Sequence, residues 1–199
     1  MYHVVIPARY GSTRLPAKAL AEINGKPMVY WVWRQAMQSK ALSVTVATDD
    51  ERIRSALSPH GVDVAMTASD HPSGTDRLAE VARAKAWTAD SVVVNLQGDE
   101  PLMPVANVEQ VAELLLAHPD ASISTLCEPI DSCATFVDPS VVKVVSDNSG
   151  RAQYFSRAPI PFERHGDASS APAEARRPTG LYAYRVGFLQ DFSSGYVAP

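Results

Sequence analysis

The stretch VVIPARYGSTRLPAKAL, residues 4–20, joins a short apolar run to a strongly cationic segment. The apolar residues 4–6 are typical of a buried strand. Arg9, Arg14 and Lys18 follow this strand closely. Such a cluster of cations in a loop after a first strand indicates a site for a polyphosphate, with a solvated basic turn as the alternative.

This opening loop is not one of the common glycine-rich nucleotide loops. It contains neither the P-loop pattern that ends in Gly-Lys-Ser/Thr nor the pattern G-x-G-x-x-G. The positive charge therefore comes from side chains, and the backbone N–H groups of residues 11–13 would add their dipoles to it.

Outward from this loop, apolar runs typical of strands alternate with helical patterns. The strand-like runs are 2–7, 43–47, 62–66, 91–96 and 121–126. The helical patterns begin after Pro27, after the capping pair Asp49 and Asp50, at Ser73 and at Val105. This alternation predicts an α/β fold with a Rossmann-like, mostly parallel sheet and helices on both faces. Ligands of such sheets bind outside the carboxyl ends of the strands, where the opening loop lies.

Beyond residue 127 the pattern changes. Residues 141–157 predict two strands around a turn at 147–150, which is a β-hairpin added to the sheet. Residues 163–178 are small, polar and proline-bearing, so we expect a mobile loop there. Ordered patterning resumes after this loop, and residues 1–199 are predicted to form a single domain.

Composition excludes several classes of protein. The net charge of −4 excludes a protein that binds nucleic acid through an overall positive electrostatic field. Cys127 and Cys133 are the only cysteines, and they fit neither a disulfide framework nor a zinc site. The sequence shows no signal peptide and no apolar stretch of membrane length, so we expect a cytoplasmic protein without a membrane partner.

A second polar segment, QGDEP at residues 97–101, follows the apolar run 91–96. Asp99 at the carboxyl edge of a sheet is well placed to hold Mg²⁺, a hard cation that takes one or two carboxylates and the phosphates of a substrate. A simple turn residue after Gly98 is the alternative. Glu100 is either a second ligand or a side chain that faces solvent, and the solvent-facing interpretation is favoured.

Two further segments carry polar side chains in suitable places. In DHPSGTDRLAE, residues 70–80, Ser73 and Arg77 can line a base or ribose pocket at a helix N-terminus. The alternative is a helix cap without a ligand. In QYFSRAPIPF, residues 153–162, Arg157 can pair bidentately with a carboxylate of an acceptor. The alternative there is an exposed strand end.

Taken together and in this order, these segments resemble the 3-deoxy-manno-octulosonate cytidylyltransferase family, the CMP-Kdo synthetases. The matching stretches lie between residues 4 and 162 and are IPARYGSTRLPAK, NGKPM, VATDDERI, HPSGTDRLAE, VNLQGDEPLMP, VVKVVSD and YFSRAPIP. The related CMP-sialic acid synthetases share the opening IPAR and the fold but are not marked by the QGDEP and YFSRAxIP segments. The resemblance therefore indicates an octulosonate as the sugar.

The resemblance implies a nucleotidyltransferase fold of the glycosyltransferase-A-like type and a particular reaction. CTP and Kdo would give CMP-Kdo and pyrophosphate for lipopolysaccharide synthesis, with Mg²⁺ required. The anomeric hydroxyl of Kdo would attack the α-phosphorus in line, so positioning and metal would supply most of the rate. The resemblance implies these roles position by position. The catalytic residues would be Arg9, Lys18 and Asp99, and Asp99 would also bind the metal. The nucleotide would be bound by Arg9, Ser12, Arg14, Lys18, Ser73, Arg77 and Gln97, and the sugar by Gln97, Tyr154, Arg157 and Tyr182.

The sequence departs from the family's pattern at two places. Pro178 stands where the family usually has a histidine near the sugar, which leaves a variant octulosonate or a sialic-type sugar as an alternative acceptor. The family continues beyond the position of Pro199 with a dimer-forming region and a late acidic segment that holds metal. We therefore expect the 199-residue chain to be catalytically impaired and not to form the family's homodimer. A non-catalytic CTP-binding paralogue is the remaining alternative.

Overall fold

The computed structural model describes residues 1–11, 17–164, 170–193 and 195, which form two compact units. The first unit comprises Met1–Ser124 and Leu181–Pro199, and the second comprises Thr125–Gly180. The strands are β1 (Tyr2–Pro7), β2 (Glu22–Ile23), β3 (Lys26–Pro27), β4 (Val44–Thr48), β5 (Asp63–Met66), β6 (Val92–Asn95), β7 (Ile123–Pro129), β8 (Lys143–Ser146), β9 (Ala152–Ser156) and β10 (Arg176–Arg185). The helices are α1 (Met28–Ala36), α2 (Glu51–Leu57), α3 (Gly74–Ala84), α4 (Val105–Ala117), α5 (Cys133–Val137) and α6 (Val186–Ser193). In the described part of the chain, no helix is long and apolar enough to cross a membrane.

The first unit is built on a mostly parallel sheet. Its strands lie in the order β5, β4, β1, β6, and all of these neighbours pair in parallel. Residues 182–185 of β10 pair antiparallel with β6. Val4, Val5 and Ile6 of β1 are fully buried, because a central parallel strand has no solvent-exposed face. The predicted α/β fold is confirmed, and β1 has the predicted bounds.

Helices cover both faces of this sheet, as predicted. Val5 and Val93 pack in one core cluster with Leu78 of α3 and Leu189 of α6. Successive strand residues point to opposite faces, so Val4 faces the other side. Both α1 and α3 contact β1, and α1 also packs on α4. The sheet is therefore buried between two helical layers.

Two helices begin at residues that the sequence identified as caps. At α2, the Asp50 carboxylate accepts a hydrogen bond of 2.9 Å from the backbone N–H of Arg52. At α3, Ser73 Oγ accepts one of 3.3 Å from the backbone N–H of Asp76. Such caps satisfy N–H groups that the first turn of a helix leaves unpaired. These two predicted helix starts are confirmed.

A small hairpin of β2 and β3 was not predicted. Asn24 and Gly25 connect the two strands, and both have positive φ angles, 49° and 72°. An Asn-Gly pair favours this two-residue turn because both residues tolerate the left-handed region. The sequence signal was thus present in NGKPM, although the strands are only two residues long.

The second unit contains the predicted β-hairpin. Strands β8 and β9 pair antiparallel around the turn at Asp147, whose carboxylate accepts hydrogen bonds from the backbone N–H groups of Ser149 and Arg151. This hairpin is confirmed. Arg176 of β10 pairs with Val144 of β8.

The loop predicted at 163–178 is shorter in the structure. Residues 176–178 belong to β10, and Ala175 is fully buried against Ile130 and Phe136. The backbone N–H of Ile130 also donates to Ala175 O at 3.0 Å. Burial and pairing therefore place residues 175–178 outside the predicted loop, and the mobility of its other residues stays a prediction. Residues 165–169 of this loop lie outside the described residues.

Arg185 closes the carboxyl end of α4. Its Nη2 donates to Leu115 O at 2.9 Å and to His118 O at 3.2 Å, and its Nε donates to Ala121 O at 2.8 Å. The last carbonyls of a helix have no partner within the helix. One guanidinium therefore satisfies several carbonyl groups at this helix end.

Replacing Arg185 by Leu is expected to lower the free energy of unfolding by about 2–3 kcal/mol, because several charge-assisted hydrogen bonds are lost together. Urea unfolding followed by circular dichroism measures the change. Arg83→Leu is the matched control, because the hydrogen bonds that the structure shows for Arg83 go to the side chains of Gln190 and Ser193. An equal loss in both variants would contradict the assigned role of Arg185.

Candidate active site

The opening loop is fixed at both ends by contacts in the first unit. After β1, Arg9 Nη2 donates to His71 O at 2.8 Å. The backbone N–H of Ala17 donates to Tyr10 O at 2.9 Å and so brings the two ends of the loop together. The predicted nucleotide ligands Ser12 and Arg14 lie outside the described residues.

Tyr10 is further held by helix α2. The guanidinium carbon of Arg52 lies 3.3 Å from the centroid of the Tyr10 ring, a close cation–π contact. Asp50 orients this guanidinium through two hydrogen bonds of 2.8 and 2.6 Å. Sequence reasoning missed this stack, because residues 10 and 52 approach each other only across two parallel strands.

Lys18 and Asp99 meet directly. Lys18 Nζ lies 2.5 Å from Asp99 Oδ2, and the two side chains are 42% and 45% exposed. The predicted phosphate-binding cation and the predicted metal-binding carboxylate are therefore neighbours, although they lie far apart in the sequence. Their exposure leaves both groups accessible to a ligand.

The QGDEP segment makes a tight turn after β6. The backbone N–H of Glu100 donates to Gln97 O at 3.2 Å, and Gly98 is buried against the end of β1. A Cβ at residue 98 would lie only 2.9 Å from Pro7 O. This close backbone approach requires glycine and sets the position of Asp99.

Gly98→Ala is expected to lower turnover about tenfold, because the added methyl group forces the turn that carries Asp99 away from β1. Steady-state turnover and thermal unfolding measure the two effects. Gly187→Ala is the control, because Gly187 lies on α6, outside the candidate site. A Cβ at residue 187 would also make a close contact, 3.2 Å from Ala89 Cβ. Unchanged turnover in Gly98→Ala would show that the turn tolerates displacement.

Glu100, next to Asp99, is half-buried. Burial raises the pKa of its carboxyl group, and the negative charge of Asp99 raises it further.

The segment before α3 is organised by its own side chains. Ser73 Oγ caps the helix and donates to Asp76 Oδ2 at 2.6 Å. The His71 ring bonds to the Glu80 carboxylate, which also accepts the backbone N–H of Ala68 at 3.0 Å. Burial raises the pKa of Glu80, but these hydrogen bonds outweigh burial and hold its pKa below the usual value. This segment is connected to the opening loop through Arg9 and His71 O.

Arg77 lies inside the fold. Its side chain is fully buried, with Nη2 3.1 Å from Asp49 Oδ2 and Nη1 bonded to the hydroxyl of Thr67. These partners lie just after β4 and β5, so the guanidinium connects α3 to two strand ends. In this structure Arg77 holds the segment that contains Ser73, and its predicted contact with the nucleotide stays a prediction.

The predicted sugar ligands Tyr154 and Arg157 lie in the second unit. Tyr154 on β9 is 61% exposed. Arg157 follows β9, and its Nη1 donates to Pro139 O at 2.8 Å and to Ser140 O at 3.1 Å. Its Nε and Nη2 donate to no described residue. This edge of a guanidinium can pair bidentately with a carboxylate.

The predicted sugar ligand Tyr182 lies on β10 in the first unit. It stands opposite Asn95 at the end of β6, and its ring stacks on Tyr184 with centroids 6.2 Å apart. Gln97 follows two residues after Asn95 and is partly buried. Pro178, at the position where the family usually has histidine, lies within β10 in the second unit.

The donors around Asp99 fit a magnesium ion held mainly by a substrate. In the described residues, no group of three or more His, Cys, Asp or Glu side chains could hold a metal alone. Asp99 is a half-exposed carboxylate, with Glu100 next to it in sequence. Mg²⁺ commonly binds through one or two carboxylates and substrate phosphates. Asp99 is therefore a suitable single protein ligand.

Comparison with known proteins identifies the class of this protein. A family model described as "Cytidylyltransferase" matches residues 3–195. A solved cytidylyltransferase from Leptospira borgpetersenii has the same fold, with a TM-score of 0.61 at 17% identity over 100% of this chain and 66% of that chain. The fold and the model define a cytidylyltransferase.

Closer relatives give the particular family. Curated 3-deoxy-manno-octulosonate cytidylyltransferases are 52% identical in Chromohalobacter salexigens, over 98% of this chain and 78% of the relative, and 53% identical in Pseudomonas syringae, over 97% and 78%. A solved CMP:2-keto-3-deoxy-manno-octonic acid synthetase complexed with CTP has a TM-score of 0.89 at 41% identity, over 100% of this chain and 80% of that chain. The chain belongs to the 3-deoxy-manno-octulosonate cytidylyltransferase family, as its motifs indicated.

Proposed function

We propose that this chain transfers CMP from CTP to 3-deoxy-manno-octulosonate, releasing pyrophosphate and forming CMP-Kdo. The observation that supports this most directly is the 2.5 Å contact of Lys18 with Asp99 at the carboxyl edge of the sheet. It brings a cation for phosphates and a carboxylate for a metal to one place. The relatives named for this reaction share about half of the chain's residues.

The triphosphate would bind to the cations of the opening loop. Arg9 follows β1, Lys18 lies at the other end of the loop, and both are partly exposed. Ser12 and Arg14 complete the family's set by sequence. Negative charge grows on the leaving pyrophosphate during the reaction, so fixed cations stabilise the transition state more than the substrate. Asp99 would hold Mg²⁺, which would neutralise phosphate charge when bound.

The sugar would bind through its carboxylate and hydroxyl groups. The free edge of the Arg157 guanidinium suits the carboxylate, and Tyr154, Tyr182 and Gln97 are the family's other sugar ligands. In the reaction, the anomeric oxygen forms a bond to the α-phosphorus, and the bond from that phosphorus to the β-phosphate oxygen breaks. The hydroxyl proton passes to solvent, and pyrophosphate carries away the electron pair. Positioning of the two substrates supplies most of the rate.

The product would donate Kdo to the core of lipopolysaccharide, and CTP as a substrate supports a cytoplasmic location. The family usually carries histidine at the position of Pro178, so other acidic sugars should be tested beside Kdo. A variant octulosonate or a sialic-type sugar is therefore the second candidate acceptor.

Pyrophosphate release from CTP, Mg²⁺ and Kdo tests the proposal. Release that requires all three components is the expected result, with CTP preferred to UTP because a pocket bonded to the exocyclic group of one pyrimidine rejects the other. A panel of acidic sugars at constant CTP identifies the acceptor. CTP binding in calorimetry without turnover on any of these sugars would instead establish a non-catalytic CTP-binding protein.

A further inference from the structure

Lys143 on β8 is a charged side chain that the proposed function leaves unexplained. It is fully buried, and in the described part of the chain only Arg77 shares this property among charged residues. Burial lowers the pKa of Lys143. A buried charge is costly unless hydrogen bonds compensate it.

The ammonium group of Lys143 is completely hydrogen-bonded. Nζ donates to Asp138 O at 3.0 Å, to Val141 O at 2.8 Å and to Arg157 O at 2.7 Å. An ammonium has three N–H donors, so all of them are used. The acceptors are backbone carbonyls from two separate segments, the turn 138–141 and the residue that follows β9. Lys143 therefore joins these two segments.

The same turn also anchors the side chain of Arg157. Arg157 Nη1 donates to the carbonyls of Pro139 and Ser140, which lie between the two turn carbonyls bound by Lys143. All four consecutive carbonyls of the turn, 138–141, thus accept hydrogen bonds from two cations. Lys143 fixes the backbone of Arg157 and the surface against which its guanidinium rests.

We propose that Lys143 is a positioning residue for the acidic sugar. It holds the turn 138–141 and the Arg157 backbone so that the Nε and Nη2 edge of Arg157 is presented to the sugar carboxylate. This inference rests on the proposed function, because it assigns the carboxylate to Arg157. Without the Lys143 ammonium, the carbonyl oxygens of Val141 and Arg157 lose this donor and Asp138 O keeps the backbone N–H of Val141, so the anchor of Arg157 is no longer fixed.

Lys143→Met tests the proposal in steady-state pyrophosphate release with CTP and Kdo. We expect the KM for Kdo to rise about tenfold, the value of one displaced charge-assisted hydrogen bond, and the KM for CTP to stay within about twofold. Arg185→Leu is the control for lost stability, because it also removes a cation that donates hydrogen bonds to several backbone carbonyls. It should leave the KM for Kdo unchanged. An equal rise of both KM values in Lys143→Met would overturn the proposal.

A double-mutant cycle with Arg157→Gln separates positioning from general packing. If Lys143 acts through Arg157, Lys143→Met has no further effect on the KM for Kdo once Arg157 is replaced. Independent effects of the two substitutions would reject the proposal. If Lys143→Met does not fold, Lys143→Arg keeps the charge but displaces the turn. It should raise the KM for Kdo alone, and a rise in neither or in both KM values would reject the proposal.

Failure of the proposed function is distinguishable from failure of this inference. A wild-type chain that releases no pyrophosphate with Kdo contradicts the proposed function. A wild-type chain that is active with Kdo, together with a Lys143→Met variant of unchanged KM for Kdo, contradicts only the role of Lys143.

Discussion

Replacing Asp99 by Asn is expected to lower the rate of pyrophosphate release about a thousandfold, because the charged oxygen that would hold magnesium is lost. The amide has the size of the carboxylate, and the side chain is 45% exposed, so the fold should tolerate the change. Turnover is measured with CTP, Mg²⁺ and Kdo. Calorimetry of magnesium binding in the presence of CTP provides a readout that does not depend on activity.

Asp90→Asn is the control for the loss of one negative charge, because Asp90 is an exposed residue of the same unit outside the candidate site. It should keep wild-type turnover. Lys18→Met tests whether Asp99 acts only by pairing with Lys18. That variant should keep magnesium binding in the presence of CTP, whereas Asp99→Asn should lose it. Near-normal turnover of Asp99→Asn would remove Asp99 from the catalytic set.

Replacing Arg9 by Ala is expected to raise the activation free energy by about 3 kcal/mol, on the order of a hundredfold in rate. Arg9 lies at the end of β1, and its guanidinium already contacts His71 O. Because charge develops on the departing pyrophosphate, the loss should appear in kcat and not only in the KM for CTP. Steady-state kinetics with varied CTP separates these two parameters.

Arg9→Lys and Arg54→Ala sharpen the interpretation of Arg9. Arg9→Lys keeps the charge but loses the planar fork, so its rate should lie between those of the wild type and Arg9→Ala. Arg54 lies on α2 and pairs with Glu51, so Arg54→Ala controls for net charge outside the loop. An Arg9→Ala variant with normal turnover and normal CTP affinity would make the opening loop a solvated basic turn.

The sheet of the first unit could be predicted because local sequence determines it. The buried runs 4–6 of β1 and 92–94 of β6 are wholly apolar, and Asp50 and Ser73 cap helices through residues only two or three positions away. The position of Asp99 after β6 followed from the same strand order. Its contact with Lys18 is a property of the carboxyl edge, where parallel strands place their following loops together.

The roles of buried cations could not be predicted from local sequence. Arg77 lies in a motif that predicts a ligand contact, but its partners Asp49 and Thr67 follow two other strands. Lys143 stands in VVKVVSD among apolar residues, where nothing in the sequence shows which carbonyls would accept its hydrogen bonds. Both side chains depend on contacts that only the tertiary structure defines.

The end of the predicted loop was misplaced for a related reason. Small and polar residues at 163–178 predict a lack of burial, yet Ala175 contributes to the small core with Ile130 and Phe136. A single alanine carries little hydrophobic signal, so its burial could not be read from composition.

The direct pairing of Lys18 with Asp99 affects what the site can select. A free anion near Lys18 competes with the Asp99 carboxylate, and a free cation near Asp99 competes with the Lys18 ammonium. A metal–triphosphate complex carries both charges and gives each side chain a new partner at once. An ion pair between two half-exposed side chains has a small interaction free energy in water. Breaking the Lys18–Asp99 pair therefore costs little free energy when the metal–triphosphate complex binds. Inorganic phosphate or magnesium alone would satisfy only one partner. If Lys18 and Asp99 bind as proposed, the pair would therefore make metal and nucleotide bind with positive thermodynamic coupling.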